Sequence, residues 1–359
     1  MSTLLQIDNI SKAYGPQVIF HGASLAVPAK RKIGVIGRNG AGKTTLFKMI
    51  TGREEVDSGA VNVYRQARLG YLEQIDPFRP SETVLDFLTR YTGREEWRCG
   101  KIAAQFQLKN ELLKAPIDSL ASGYQMRVKL AAMLLAEPNL LLLDEPTNYL
   151  DLSTQILFEQ FLKKYKGGYM IISHDRELLK KVTDHILEID RGNLFLYPGP
   201  LEEFFAYKEE QDELAEKTNL NIQRQRKHLQ RFIDRFSAKA TKARQAKSKA
   251  KQLQRLKTIE IVHPASTVRI NIPGVAKKKG LALKINDLRI GYGESKVVAR
   301  DIKFNIARGE HVAILGDNGQ GKTTFLKTLA GELSPLSGSF SWMPDLRIAY
   351  YAQHVPATL

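Results

Sequence analysis

The amino-acid sequence predicts an α/β fold built around a phosphate-binding loop, continued by a basic helical linker and by part of a second copy of the fold. The segment Gly37–Thr44, GRNGAGKT, fits the pattern G-x-x-x-x-G-K-[ST] at every fixed position. Apolar, strand-like runs alternate with helical segments along residues 1–200, which is typical of a largely parallel sheet. The loop pattern occurs again at Gly316–Thr323, GDNGQGKT. These observations favour a duplicated phosphate-binding unit.

The composition limits the classes of protein to which the chain can belong. The chain has 359 residues, enough for two or three domains of about 150 residues each, and 43% of them are hydrophobic. The single cysteine, Cys99, excludes a disulfide framework and a cysteine-based zinc site. No apolar run approaches the ~18 residues of a membrane span, and the N-terminus carries no secretion-signal pattern. We therefore expect a soluble cytoplasmic protein with no membrane contact, and the net charge of +16 predicts a polyanionic partner.

The sequence around the first loop supports its assignment. The apolar run Ile33–Ile36 predicts a buried strand before the loop, and Thr45–Ile50 is compatible with a helix after it. Glycines let backbone N–H groups point at phosphate oxygens, and the helix N-terminus adds its positive dipole end. Lys43 can then reach the β- and γ-phosphates, and the Thr44 hydroxyl can hold Mg²⁺. The alternative is a glycine-rich turn that matches by accident.

The other elements of the first unit follow from hydrophobic periodicity and turn residues. Turns are predicted at Tyr14–Gly15 and Ser58–Gly59, and a hairpin turn at Asp190–Asn193. Residues 75–120 are helix-rich, and Met126–Leu135 has helical character. The predicted strands are Leu4–Ile10, Val18–Val27, Ile33–Ile36, Ala67–Leu72, Leu140–Leu143, Tyr169–Ile172, Ile186–Ile189 and Leu194–Tyr197.

Polar side chains follow three of these strands. Asp144 and Glu145 end the strand from Leu140, and strands parallel to the one that feeds the phosphate loop end at the same sheet edge. Asp144 can support the Mg²⁺ shell, and Glu145 can orient or deprotonate the attacking water. His174 can contact the γ-phosphate, and the Gln74 amide can bind Mg²⁺ and water. The alternative for Asp144 and Glu145 is an acidic strand end without a role. The alternative for His174 is a structural histidine, and for Gln74 a surface glutamine.

Two tyrosines precede the two loops. Tyr14 and Tyr292 could each stack on adenine, although a packed or simply exposed ring is the alternative. The N-K-x-D motif that reads guanine in GTPases is missing from the sequence, which favours ATP as the nucleotide.

The segment 222–257 carries most of the excess positive charge. It holds thirteen Lys or Arg residues and one acid, Asp234. Its apolar residues recur at helical spacing, which predicts an αα-hairpin with a basic tip. This charge favours a phosphate backbone as partner over a solvated coiled-coil face. The candidate RNA-binding residues are Arg235, Lys239, Lys242, Arg244, Lys247 and Lys249.

A constant offset relates the end of the chain to its beginning. Gly37 and Gly316, Lys43 and Lys322, and Gln74 and Gln353 are each 279 residues apart, as are several glycines. We therefore predict a duplicated domain whose second copy stops before any counterpart of residues 81–200.

These motifs, in this order, resemble those of an ABC-type ATPase. The matching segments are Gly37–Thr44, Gln74, Leu120–Arg127 (LASGYQMR), Leu140–Asp151 and Ser173–Arg176 (SHDR). The string DEPTNYLD at 144–151, with AKATKARQA at 238–246 in the basic hairpin, is similar to the ABC-F subfamily, which comprises soluble tandem ATPases without membrane domains. The resemblance covers essentially the whole chain. It predicts one ABC ATPase domain at 1–203, a linker at 204–280 and an incomplete second ABC ATPase domain at 281–359.

The resemblance implies two ATP sites, each between the phosphate loop of one domain and the signature of the other. The first site would lack its opposing signature, and the second would face Ala121–Gly123 but lack its carboxylates and histidine. We therefore expect the chain to bind ATP mainly at Lys43 and to hydrolyse it weakly, unless a missing segment or a second copy of the chain completes the two ATP sites. The hairpin resembles the P-site tRNA interaction motif, which implies ribosomal RNA and P-site tRNA as partners.

The candidate site residues fall into three groups. The catalytic candidates are Glu145, His174 and Gln74. The ATP-binding candidates are Tyr14, Gly37, Asn39, Gly40, Gly42, Lys43, Thr44, Thr45 and Asp144, then Ser122 and Gly123 of the signature, then Tyr292, Gly316, Asn318, Gly319, Gly321, Lys322, Thr323, Thr324 and Gln353. The Mg²⁺ candidates are Thr44, Gln74, Asp144, Thr323 and Gln353.

The sequence departs from the family pattern in three places. The L-S-G-G signature is Leu120–Gly123, LASG, so its serine hydroxyl is absent or displaced to Ser122. Tyr149 stands where the family usually has histidine. Residues 75–119 are too short for the extra arm hairpin that some members insert.

Three functions are compatible with these motifs. The first is an ATP-hydrolysing, ribosome-binding translation factor, and the basic hairpin favours it. The second is the ATPase subunit of a membrane transporter, which has no use for such a hairpin. The third is an RNA-binding module that uses ATP only as a conformational latch. The replacement of the signature serine by Ala121 is compatible with this third function, whereas the predicted catalytic base Glu145 argues against it.

Overall fold

The structure, a computed structural model, confirms the predicted α/β fold. It describes residues 2–72, 77–148, 150–236, 248–253, 279–293, 296–344 and 346–352. The strands are β1 (Thr3–Tyr14), β2 (Gln17–Pro28), β3 (Lys32–Gly37), β4 (Ser58–Val63), β5 (Leu69–Leu72), β6 (Leu140–Asp144), β7 (Gly168–Ile172), β8 (His185–Asp190), β9 (Asn193–Tyr197), β10 (Leu281–Gly291), β11 (Val297–Ala307) and β12 (Ser337–Trp342). The helices are α1 (Lys43–Ile50), α2 (Val84–Thr92), α3 (Glu96–Gln105), α4 (Asn110–Leu113), α5 (Ser122–Leu135), α6 (Leu152–Lys164), α7 (Arg176–Val182), α8 (Leu201–Phe236) and α9 (Lys322–Ala330).

A six-stranded sheet carries the first phosphate loop. Its strand order is β5-β6-β7-β3-β8-β9, and all neighbours are parallel except β8 and β9. Every residue of β6 and of β7 is buried, as expected for parallel strands covered on both faces. Asp144 and Val35 both pair with Ile172, so β3, β6 and β7 end together at one edge. This edge is where the candidate catalytic residues were expected to meet.

Two hydrophobic cores fix that sheet. On one face, α1 and the antiparallel sheet β2-β1-β4 bury residues such as Phe20 and Phe47. On the other face, helices α2 to α7 bury residues such as Phe87 and Phe158. The turn predicted at Ser58–Gly59 is wrong, because these residues begin β4, which pairs with β1.

The second half repeats part of this architecture. The sheet β11-β10-β12 has the same antiparallel pairing as β2-β1-β4, and α9 follows the second loop as α1 follows the first. Residues 311–316 correspond to β3 but form no strand, and Leu315 is 79% exposed. The reason is that β3 lies between β7 and β8, whereas no described strand flanks residues 311–316.

Helix α8 projects from the first unit. Its 36 residues span about 54 Å. Leu201 and Phe204 anchor its start in the core, and Lys208 Nζ lies 2.9 Å from Glu188 Oε2. Within the described ranges, none of the helices combines the length and the apolar character that a membrane crossing requires. Of the rest of the predicted hairpin segment, residues 248–253 are helical, and residues 237–247 and 254–257 lie outside the described residues.

Candidate nucleotide-binding site

The first phosphate loop wraps around its own lysine. Lys43 Nζ donates hydrogen bonds to the carbonyl oxygens of Gly37, at 2.9 Å, and Arg38, at 3.1 Å. Gly42 has a φ of +101°, and a Cβ at this position would lie 2.4 Å from Ile19 Cγ2. Both the backbone conformation and the close approach of β2 therefore require glycine at position 42.

A cleft of about 430 Å³ opens beside this loop. It brings together predicted residues from three separate parts of the chain: the β1–β2 hairpin, the loop with α1, and the ends of β6 and β7. Its lining residues are Tyr14, Gln17, Ile19, Asn39, Gly40, Gly42, Lys43, Thr44, Thr45, Asp144, Glu145, Ile172 and His174. A volume of this size falls within the range of small-molecule sites.

Asp144 is a buried carboxylate at the floor of the cleft. The residue is 3% exposed, and neither side-chain oxygen accepts a hydrogen bond from a described residue. Burial raises the pKa of Asp144, while the neighbouring Thr44 hydroxyl and the positive charges of Lys43 and Lys48 oppose that effect. Unpartnered carboxylate oxygens beside a hydroxyl fit the oxygen-donor preference of Mg²⁺, so Thr44 and Asp144 are suited to hold that ion.

Glu145 and His174 face each other at the same edge. His174 Nε2 lies 3.3 Å from Glu145 Oε1, although neither Glu145 oxygen has a hydrogen-bond partner among the described residues. Glu145 adopts a φ of +46°, which is unusual for a residue other than glycine, and its N–H donates to Ile172 O at 3.0 Å. The backbone at the end of β6 thus orients the Glu145 carboxylate toward the cleft.

The two tyrosines that precede the loops are both about half exposed. Tyr14 lines the first cleft and has Lys12 Nζ 5.4 Å from its ring centroid. The Tyr292 hydroxyl lies 3.2 Å from Thr324 Oγ1, at the start of α9. Both rings therefore lie close to a phosphate loop.

The second phosphate loop has the same local shape as the first. Lys322 Nζ donates to Gly316 O and Asp317 O, both at 2.7 Å. The φ angles of Gly316, Gly319 and Gly321 are +157°, +84° and +87°, against +157°, +79° and +101° in the first loop. The two loops therefore share one backbone conformation in spite of their different surroundings.

Comparison with known proteins identifies the family. A family model described as ABC transporter matches residues 20–148 and 299–355, and a second model with the same description matches residues 187–271. The chain is 32% identical to the probable ATP-binding protein YbiT of Escherichia coli O157:H7, over 98% of this chain and 73% of that protein. The chain belongs to the ABC-F family of ABC-type ATP-binding proteins. A solved structure described as the ATP-binding subunit of an ABC transporter has the same fold, with a TM-score of 0.50 and 22% identity over 56% of this chain and 91% of that one.

The chain spans only part of the length of the relatives it matches. It is 32% identical to the probable ATP-binding protein YheS of Escherichia coli K12, over 95% of this chain but 58% of YheS. It thus spans a little over half of the length of that protein.

The signature of the ABC-F chain lies against the second phosphate loop. Ser122 is the first residue of α5, and its Oγ accepts a hydrogen bond of 2.9 Å from Asn318 Nδ2. The N–H of Asn318 lies 3.4 Å from Asp151 Oδ2. One predicted signature residue, Ser122, thus contacts one predicted residue of the second loop, Asn318.

Some predicted residues cannot be placed. Gln74 and Gln353 lie outside the described residues, as do Tyr149 and Lys239, Lys242, Arg244 and Lys247 of the hairpin. The backbone of Arg235 belongs to α8, and Lys249 is exposed with its Nζ 3.1 Å from Gln252 Oε1.

Sequence reasoning missed four residues: Gln17, Ile19 and Ile172 of the cleft, and Asp151, which contacts the second phosphate loop. Gln17 and Ile19 line the cleft because the β1–β2 turn brings them beside Tyr14. Asp151 contacts Asn318, which lies 167 positions further along the chain. In the sequence Asp151 has the pattern of a helix N-cap, and it does cap α6 by accepting a hydrogen bond from the N–H of Thr154.

Proposed function

We propose that this ABC-F chain binds ATP with Mg²⁺ in the cleft around Lys43, hydrolyses it, and binds ribosomal RNA and tRNA through the basic hairpin in the cytoplasm. The observation that carries the ATPase assignment is the pair of shielded, unpartnered carboxylates at the end of β6, beside the phosphate loop. Buried carboxylates without hydrogen-bond partners are costly to folding, so their presence beside the loop supports a role in binding.

Each residue of the cleft has a distinct role in this proposal. Lys43 and the backbone N–H groups of the loop bind the phosphate chain, and Thr44 and Asp144 hold Mg²⁺, which neutralises phosphate charge when bound. Glu145 orients the attacking water and accepts its proton. His174, across the edge from Glu145, donates to the γ-phosphate as charge develops.

The base of the hairpin is connected to the catalytic edge. Helix α7 begins at Arg176, two residues after His174, and the Arg176 guanidinium lies 5.0 Å from the ring centroid of Phe205 on α8. Lys180 Nζ of α7 lies 3.2 Å from Glu202 Oε1 of α8. These contacts support a mechanical link between the nucleotide state and the direction of α8.

The exposed cations of α8 support a nucleic-acid partner. Its distal turns expose Arg224, Arg226, Lys227 and Arg231, and the charge continues through residues 237–257. Such a charged helix favours contacts to phosphates and to RNA shape, rather than base stacking.

Co-sedimentation with ribosomes tests the proposal as a whole. We expect ATP to increase ribosome binding by the Glu145→Gln variant, which traps the bound nucleotide, and Lys43→Ala to remove that increase. Ribosome binding of equal strength with and without ATP would favour a passive RNA-binding module. No ribosome binding in any nucleotide state would leave the transporter-subunit function as the better candidate.

A further inference from the structure

Lys12 lies beside the tyrosine that lines the first cleft. The two residues are close together at the end of β1, and Lys12 Nζ is 5.4 Å from the centroid of the Tyr14 ring. Tyr14 is 47% exposed and lines the cleft. The cation therefore covers only part of the ring and leaves the rest accessible to a ligand.

Three acceptors hold the Lys12 ammonium. Nζ donates to the carbonyl oxygen of Glu55 at 2.8 Å, and it lies 2.8 Å from Glu54 Oε1 and 3.3 Å from Asp57 Oδ1. An ammonium has three N–H donors, so these contacts can use all of them. The Lys12 side chain is only 11% exposed, as expected for a lysine that is fully paired. Its position is thus fixed by residues 54–57.

The same carboxylates also contact the end of β1 around the ring. Asp57 Oδ2 accepts a hydrogen bond of 2.8 Å from the N–H of Ala13, the residue before Tyr14. A hydrogen bond from Lys12, with a smaller contribution from the Tyr14 hydroxyl, lowers the pKa of Glu54 against the opposing effect of desolvation. The cation, the ring and the backbone beside the ring therefore belong to one cluster.

This cluster is attached to the helix that carries the phosphate-binding residues. Helix α1 begins at Lys43 in the phosphate loop, and residues 54–57 follow its C-terminal end and lead into β4. The N–H of Glu54 donates to the carbonyl oxygen of Lys48 in α1, at 3.3 Å. The position of the Tyr14 ring relative to the phosphate loop is thus set through α1.

The second unit has apolar residues at the positions of this cluster. The sheets β2-β1-β4 and β11-β10-β12 pair in the same register, which places Ile290 where the first unit has Lys12. Leu336 likewise stands in place of Asp57. Ile290 is 1% exposed and belongs to the core of its unit. The lysine cluster is therefore a feature of the first unit and not of the shared fold.

Tyr292, the counterpart of Tyr14, has different partners. Its hydroxyl lies 3.2 Å from Thr324 Oγ1 at the start of α9. The cation beside its ring is Lys296, an exposed residue just before β11, with Nζ 5.7 Å from the ring centroid. The two tyrosines are thus held differently, although the two phosphate loops share one backbone conformation.

We propose that Lys12 is a positioning residue for base recognition in the first ATP site. Its ammonium, held by Glu54 and Asp57, keeps the ring of Tyr14 against the cleft at a separation from the phosphate loop that α1 sets. A nucleotide whose phosphates bind at the loop then stacks its base on that ring. This inference rests on the proposed binding of ATP at Lys43 and adds to it the residue that fixes the base platform.

Titration of two ligands separates base recognition from phosphate binding. ATP carries a base, whereas inorganic tripolyphosphate presents only phosphates. Both are titrated with Mg²⁺ into full chains that carry Lys322→Ala, so that binding at the second loop is suppressed. We expect Lys12→Met to weaken ATP binding about fivefold, the factor that corresponds to a cation–π contact of about 1 kcal/mol. Tripolyphosphate affinity should not change, because Lys12 does not line the cleft and its charge is paired with two carboxylates.

A double-mutant cycle tests whether Lys12 acts through the ring. In chains that carry Tyr14→Ala, adding Lys12→Met should weaken ATP binding no further. An equal loss with and without the ring would overturn the proposal, because Lys12 would then act on the nucleotide independently of Tyr14.

Three variants control for charge and folding. Lys163→Met removes a lysine of α6 whose Nζ lies 2.6 Å from Glu159 Oε1, and it should bind both ligands like the parent chain. Lys12→Arg keeps a cation beside the ring and should retain most of the ATP affinity. If Lys12→Met did not fold, Glu54→Gln would replace it. This variant keeps the side-chain shape but weakens the hold on Lys12, so it should lower the affinity for ATP and not that for tripolyphosphate.

The outcomes distinguish this inference from the proposed function. Unchanged ATP affinity in Lys12→Met, or equal losses for ATP and tripolyphosphate, would overturn the role of Lys12 and leave ATP binding in place. A parent chain that bound neither ligand would instead contradict the proposed ATP site, and the role of Lys12 would fail with it.

Discussion

His174 Nε2 lies 3.3 Å from Glu145 Oε1, where the parallel strands β6 and β7 end. The Glu145 side chain is 11% exposed, and that of His174 is 66% exposed. A shielded carboxylate and an accessible imidazole thus share one side of the cleft. This arrangement suits a base that must remain fixed and a donor that can follow the phosphate during the reaction.

Replacing Glu145 with Gln should separate binding from hydrolysis. The amide keeps the shape of the side chain but cannot accept the proton of the attacking water. We expect single-turnover ATP hydrolysis to slow by about 10²–10⁴-fold, with ATP affinity unchanged. Glu177→Gln on the exposed face of α7 is the matched control, and it should hydrolyse ATP like the wild type. An unchanged rate in Glu145→Gln would exclude Glu145 as the base.

Asp144 should destabilise the nucleotide-free protein. Because burial raises its pKa in the folded state above the ordinary value of 3.8, stability falls as pH rises from that value through the folded-state pKa. Asp144→Asn removes this cost, and relief of about 1 kcal/mol would raise the Tm by about 2–4 °C at neutral pH. The gain should shrink as pH falls toward 3.8.

The same variant should lose its response to the ligand. We expect ATP with Mg²⁺ to stabilise the wild type against heat and to stabilise Asp144→Asn much less, because a Mg²⁺ ligand is gone. A variant that was both less stable alone and fully stabilised by MgATP would contradict the assignment of Asp144.

Two glycines of the first loop should respond differently to alanine. Gly40 and Gly42 both have positive φ, so each alanine suffers backbone strain of about 1–2 kcal/mol. A Cβ at Gly40 meets no atom within 4 Å, whereas one at Gly42 would lie 2.4 Å from Ile19 Cγ2. Urea unfolding should therefore show a larger loss of stability for Gly42→Ala than for Gly40→Ala. Equal losses would mean that β2 does not constrain the loop.

Neutralising four cations of the predicted basic hairpin should weaken RNA binding without affecting ATP binding. Replacing Lys239, Lys242, Arg244 and Lys247 with Gln removes four cations. Each lost phosphate contact should reduce the slope of log affinity against log salt by about 0.7–0.9. The measurement is ribosome or RNA binding across a salt series.

A charge-matched variant controls for net charge. Lys101, Lys109, Lys114 and Lys166 are exposed and lie outside the hairpin. Their replacement by Gln lowers the net charge equally and should leave the salt slope closer to that of the wild type. Equal slopes for the two variants would remove the hairpin as the RNA contact.

Features with a local cause were predictable from the sequence. The loop around Lys43 depends on glycines and a strand–helix junction, and Asp144 follows an unbroken run of leucines, so both were found from short patterns. Their meeting at one edge followed from parallel strand order alone. The Asn318–Ser122 contact depends on how two distant units pack; the signature and loop patterns implied that these segments face each other, but not which atoms meet.

The strands show the same limit of prediction from sequence. Residues 311–316 repeat the apolar pattern of β3, but a strand requires hydrogen-bonded neighbours, which β3 has in β7 and β8. Ser58–Gly59 has the composition of a turn, yet pairing of β4 with β1 makes it part of a sheet. In both cases tertiary pairing, rather than local composition, determines the structure.

Calorimetric titration of ATP and Mg²⁺ into the full chain tests most directly whether the primary site lies at Lys43. Parallel titrations use Lys43→Ala and Lys322→Ala, which alter equivalent lysines of two loops with the same backbone shape. Because Asp144 and Glu145 lie only in the first cleft, we expect Lys43→Ala to abolish the tighter binding event and Lys322→Ala to preserve it. Tight binding that survived in Lys43→Ala but was lost in Lys322→Ala would contradict the assignment.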